Sequence, residues 1–271
     1  MENTDVLTST QDSDESFGIT FPDGEHIPVS LRQTSYRYPT GVTSLANEYG
    51  RLVEDALNGD VATAHYLYKS LRRCGKPEFA NEADLEAAIT EFYQTERYTT
   101  SDGINVGVSG GPNVREGVEE SLREEFAFCV GVDQRDLSDF DHWRDLAIEN
   151  GHVGAALSYD NGLLRRSPER VTAYKKAFEL GSINAAGHVS IAYKEGWPGQ
   201  EPDLVQAYAY AYIHANLFQA YAPKKYHQRA DYNLNQIVNT MPLYQMDEAV
   251  ALAKEILTSN PECCIGNPFQ N

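Results

Sequence analysis

The chain is short of cysteine, of positive charge and of long apolar runs, and each shortage closes off a class of function. No stretch of its 271 residues approaches the roughly 20 consecutive apolar residues that a membrane-spanning helix needs. A soluble protein with no membrane insertion is therefore expected. The N-terminal residues Met1 to Thr10 lack the basic segment and the apolar stretch of a secretory leader. Two placements stay open: a periplasmic protein whose leader was removed, or a cytoplasmic one. Lysine and arginine total 22 against 40 aspartates and glutamates, a formal net charge of -18. Such a surface repels nucleic acid and anionic membrane and tolerates basic partners.

Four cysteines occur, Cys74, Cys129, Cys263 and Cys264, and their separations fit no zinc-binding pattern. Cys74 and Cys129 each end a helix-like stretch. A Cys74–Cys129 structural disulfide, buried free thiols and scattered reactive cysteines all remain open; the disulfide favours an oxidising compartment. Catalytic motifs are equally scarce. Ser109-Gly110-Gly111-Pro112-Asn113 invites a phosphate-loop reading, but no GxxxxGK[ST] is present and Pro112 removes an amide donor. It reads as a flexible connector. Seven histidines are dispersed without an HExxH pair, and there is no GxSxG elbow. The acidic run Glu116, Glu119, Glu120, Glu124 and Glu125 reads as a solvated helix face. No catalytic residue, metal or cofactor is expected.

What the chain does have is a phrase that comes back. Gly151-His152-Val153-Gly154-Ala155-Ala156 is echoed by Gly181-Ser182-Ile183-Asn184-Ala185-Ala186 and foreshadowed by Gly59-Asp60-Val61-Ala62-Thr63-Ala64. A glycine there ends one helix in a left-handed conformation, and the small residues after it let the next helix approach a neighbour closely. Self-similarity of this kind signals stacked helical hairpins. Apolar spacing predicts helices near 42–58, 60–73, 83–98, 114–130, 137–150, 152–165, 168–180, 182–195, 202–221, 226–240 and 244–258. Asp60 and Ser167 are the expected N-caps, with Pro168 just inside a helix start. Ala207 to Tyr212 alternates like a strand, yet alanine favours helix and the flanks keep helical spacing. Residues 1–40 read as an extended, partly disordered arm with weak strand character from Phe17 to Leu31. Thr99 to Asn113 reads as a loop, residues 75–135 as an insertion, and 261–271 as an irregular tail.

The stretch 143–217 resembles Sel1-like repeats, the tetratricopeptide-related helical hairpins. The resemblance rests on Trp143 to Gly151, Ala155-Ala156-Leu157-Ser158-Tyr159, Ala173-Tyr174, Ala185-Ala186, Ala192-Tyr193, Gly196 and Ala207-Tyr208. The two Ala-Tyr steps at Tyr174 and Tyr208 stand 34 residues apart, near the family spacing. The loop from Leu163 to Pro168 departs from the family pattern. The resemblance implies an all-α, right-handed α-solenoid over residues 41–260. It also implies a non-catalytic scaffold or adaptor that holds a protein or peptide in a concave groove, in the setting of bacterial cell-envelope assembly or regulation. Tyr159, Tyr193, Trp197, Tyr208 and Tyr212, with Tyr221, fall at equivalent places in successive hairpins. They would either line that groove or pack between helices. An envelope hydrolase and an inhibitor of a peptidoglycan-degrading enzyme are the alternatives.

Overall fold

The computed structural model describes residues 17–30, 36–76, 79–94, 97–99, 105–107, 112–158, 167–221 and 227–261. These residues form a mostly helical protein, with twelve α-helices and four short strands. The chain divides into two compact units, one of residues 37–150 and one of residues 1–36 together with 151–271.

In the unit of residues 37–150, α1 (Leu45–Leu57) and α2 (Val61–Cys74) form an antiparallel pair. Helix α3 is Glu82–Gln94 and α4 is Pro112–Cys129. Then come α5 (Gln134–Ser138) and α6 (Phe140–Glu149). Helix α2 is the centre: it packs on α1, α4, α5 and α6, and buries Ala62, Ala64, Leu67, Tyr68 and Leu71. Its closing residue, Cys74, stands at disulfide distance from Cys129 at the end of α4, with Cα atoms 5.1 Å apart.

Three expectations here need correction. The third helix was expected to reach Tyr98 but stops at Gln94, and Arg97–Thr99 (β3) pairs antiparallel with Asn105–Gly107 (β4). Tyr98 and the β-branched Thr99 favour an extended backbone once a pairing strand is present. Part of the expected loop 99–113 is therefore strand, and α4 begins at Pro112. Proline is tolerated at a first helical position because its missing N–H has no partner to lose there. The single helix expected over 137–150 is two, broken at Asp139, whose N–H bonds back to the Asp136 carbonyl.

The second unit begins with β1 (Gly18–Thr20) and β2 (His26–Pro28), an antiparallel hairpin. From residue 151 it continues through α7 (Val153–Leu157), α8 (Pro168–Glu179), α9 (Ile183–Glu195) and α10 (Leu204–Tyr221). It closes with α11 (His227–Val238), a short 3-10 turn (Leu243–Gln245) and α12 (Met246–Ser259). Residues 159–166, the second half of the helix expected over 152–165, lie outside the described residues. Helix α10 is the core rod: it packs on α9, α11, α12 and β1. It is buried nearly all round, with Ala207, Ala209, Ile213 and Leu217 at 0% exposure. A helix apolar on every side is one enclosed by its neighbours, so the alternating Ala-Tyr run is a helix, as its alanines require.

The recurring phrase has one physical meaning in all three copies. Gly59, Gly151 and Gly181 have φ of 97°, 94° and 100°, which only glycine adopts without strain. After Gly59 and Gly181 the preceding helices close with paired reverse hydrogen bonds. Gly59 N donates to Ala56 O and Asp60 N to Asp55 O, while Gly181 N donates to Phe178 O and Ser182 N to Ala177 O. This is the Schellman closure. The residue after each glycine then caps the next helix. Asp60 Oδ1 accepts from Ala62 N and Thr63 N, His152 Nδ1 from Ala155 N, and Ser182 Oγ from Ala185 N. One residue thus satisfies both helix ends, and the alanines behind it are buried to 3% exposure or less.

Close packing also explains Gly187 on α9. A Cβ there would fall 3.0 Å from Cε1 of the His214 ring on α10. Gly187→Ala is expected to lower unfolding stability by about 1 kcal/mol, the usual cost of overfilling a packed contact less the helix propensity that alanine gains. A denaturant midpoint equal to that of the wild type would show that the ring gives way freely.

Candidate partner-binding surface

The expected aromatic wall is distributed by α10 into two clusters. Residues two apart on a helix point to nearly opposite sides, so Tyr208 and Tyr212 share one side and Tyr210 takes the other. On the Tyr210 side, Tyr193 lies parallel to Tyr210 at 6.2 Å and meets Trp197 edge-on at 5.2 Å. Phe178 completes the cluster from α8, 5.6 Å from Tyr210. The Lys175 ammonium donates to the Tyr193 hydroxyl. Burial, then the neighbouring Tyr193 and Glu179, push the Tyr210 hydroxyl up to about 12. Trp197 is half-buried and sits in a tight turn where Trp197 and Gln200 exchange backbone hydrogen bonds.

On the other side, Tyr208 stacks on Tyr212 at 5.8 Å, and Tyr212 stacks on Phe21 of the N-terminal hairpin at 5.4 Å. Burial raises the pKa of both hydroxyls; Tyr212 adds less at Tyr208, and at Tyr212 Asp23 adds less while Lys254 opposes the rise. Tyr193 and Tyr208 are buried, 8% and 7% exposed. Tyr193 of α9 meets Tyr210 of α10, and Tyr208 is covered by Tyr212 of its own helix. Tyr212 is half-buried. Tyr159 lies outside the described residues, and so does the side chain of Tyr221.

The weak strand character read from Phe17 to Leu31 takes the form of this hairpin, and its pairing and seat are what sequence reasoning did not supply: Ile19, Phe21, Ile27 and Val29 are all buried. Between the strands, Gly24 N donates to Phe21 O, Phe21 N donates to Glu25 O, and Gly24 has φ of 87°. Pro22-Asp23-Gly24 is a turn of type I with a left-handed glycine, a common hairpin connection. The signal was present: apolar residues alternate on both flanks of a Pro-Asp-Gly turn. The hairpin packs on α10 through β1 and on α12 through β2. Lys254 of α12 holds it electrostatically. Its ammonium donates to Asp23 and, at 2.6 Å, to Glu25, and lies 5.2 Å above the Phe21 ring. These bonds raise the Lys254 pKa and hold the Asp23 carboxyl below its ordinary value. Beyond β2, Ser30 N and Oγ both donate to the Pro261 carbonyl, at 3.0 and 2.9 Å.

Elsewhere, Glu116, Glu119, Glu120, Arg123 and Glu124 line a shallow acidic depression along α4. Arg123 bridges Glu119 and Glu86, while the Tyr93 hydroxyl donates to Glu119 and does most to lower its pKa. Tyr232, Leu243 and Tyr244 project from α11 and the turn after it, 64%, 84% and 80% exposed. Among the described residues no group of three or more His, Cys, Asp or Glu is placed to hold a metal ion, and no helix is long and apolar enough to cross a membrane. Comparison with protein-family models, with curated proteins and with solved structures finds no match for this chain.

Proposed function

We propose that this protein is a non-catalytic scaffold or adaptor whose helical hairpins continue as a right-handed solenoid of the Sel1-like kind and hold a protein or peptide partner. One observation carries the reading: the α10–α12 face already accepts a non-helical piece of chain, through Phe21 on Tyr212 and Lys254 on Asp23 and Glu25. A helical face that seats a hairpin turn by one aromatic contact and one cation is suited to peptide recognition. The bacterial envelope is the proposed setting. The Cys74–Cys129 pair at disulfide distance supports it, since such a bond persists in an oxidising compartment. The acidic depression on α4 favours a second reading, an inhibitor that meets a basic wall-degrading enzyme.

Capture from an envelope extract tests both. A stoichiometric partner is expected, lost on Lys254→Glu under the scaffold reading. Loss on Glu120→Lys plus Glu124→Lys instead favours the inhibitor. Turnover of a wall fragment or chromogenic amide, abolished by a single polar substitution, would overturn the non-catalytic reading and leave the envelope hydrolase.

A further inference from the structure

We infer that the N-terminal hairpin is a displaceable self-ligand, and that its seat is a binding site for a partner β-turn whose aromatic residue is followed two and four positions later by carboxylates. The inference rests on the scaffold reading and names the ligand class of that same face. The ligand chemistry is read from what occupies the seat. Phe21 supplies a ring that stacks on the Tyr212 ring and carries the Lys254 ammonium over it. Asp23 and Glu25, two and four residues on, supply the carboxylates that Lys254 holds.

Two features make the hairpin a candidate cover. It is two-stranded, and an isolated two-stranded hairpin has little stability of its own. Its polar anchors are exposed on the carboxylate side: Asp23 and Glu25 side chains are 59% and 58% exposed, so water and salt compete for them. A partner segment of the same chemistry, on a protein that brings further contacts, can therefore take the seat. The tethered hairpin then acts as an intramolecular competitor that excludes weaker ligands.

The test uses the full chain and a fluorescent peptide of the sequence from Phe17 to Ser30. The hairpin is opened in two independent ways. Phe21→Ser with Asp23→Lys and Glu25→Lys removes its anchors. Gly18→Val disrupts its strand, because a Cβ at Gly18 collides with the Ile27 carbonyl. Each opened chain is expected to bind the peptide at least about tenfold more tightly than the wild type, whose seat is mostly filled. The gain is expected to vanish when Lys254→Glu is added, and when the peptide carries Phe21→Ser. Equal peptide affinity for opened and wild-type chains overturns the inference. So does loss of cooperative unfolding in both opened chains, which would make the hairpin an integral strand. A captured partner that binds opened and wild-type chains alike sinks this inference and leaves the scaffold; peptide binding by opened chains with no partner captured does the reverse.

Discussion

Replacing Cys74 and Cys129 together with alanine is expected to lower the unfolding free energy by about 4 kcal/mol, as is full reduction of the wild type. The pair closes a loop of 55 residues, and a crosslink of that span removes a large share of the unfolded chain's conformational freedom. Both residues are buried, 2% and 4% exposed, at the ends of α2 and α4. The crosslink therefore joins the central helix of its unit to the helix beyond the β3–β4 hairpin. Beside it the Arg73 guanidinium lies 4.4 Å above the Phe128 ring, so reduction loosens a packed corner. Denaturant midpoints with and without reductant measure the effect, and the double-alanine variant should show none. Four free thiols in the denatured, non-reduced chain would remove the disulfide and with it the main support for an oxidising compartment.

Acid is expected to weaken the same unit through His65. Its ring is 5% exposed on α2, lies 6.1 Å from the Tyr68 ring, and shares a 3.0 Å hydrogen bond between Nδ1 and the Tyr38 hydroxyl. Burial, with a smaller repulsion from Lys69, pushes its pKa down from 6.5 to about 4. The folded protein thus keeps His65 neutral while the unfolded chain takes up a proton. Stability from the neutral ring is complete above the unfolded value and is lost as pH falls from 6.5 towards 4. The loss amounts to about 3 kcal/mol, from the size of that shift. His65→Gln cannot take up the proton, so its unfolding free energy should decline less between about pH 7 and about pH 4 by that amount. Parallel pH profiles for the two proteins, measured by denaturant unfolding, would refute the assignment.

Much of the helical framework was legible because the rules involved act within a turn or two of chain. The 3.6-residue apolar period located the helices. The Gly-cap-small phrase located three of their junctions, since a left-handed glycine, an N-cap and close-packing alanines are local demands. The resolution of Ala207 to Tyr212 into a helix followed from alanine's own preference. Where prediction failed, a distant partner decided. Helix α3 yields to β3 at Arg97 because a pairing strand lies at Asn105–Gly107. Tyr193 meets Tyr210 and Trp197, whereas Tyr208 meets Tyr212, contacts that no spacing along the chain specified.

By itself, then, the amino-acid order determined the number and ends of most helices, the junction chemistry between them and the acidic surface. Tertiary structure alone decided which rings meet the tyrosines on each side of α10 and the seating of the hairpin under Lys254, and it brought Cys74 to Cys129, a pairing the sequence offered as one of three alternatives. The physical reason is range. Capping, periodicity and backbone strain are settled among residues a few positions apart, whereas Lys254 meets Asp23 across a separation of 231 residues, and no local preference specifies a contact that only the folded chain brings about.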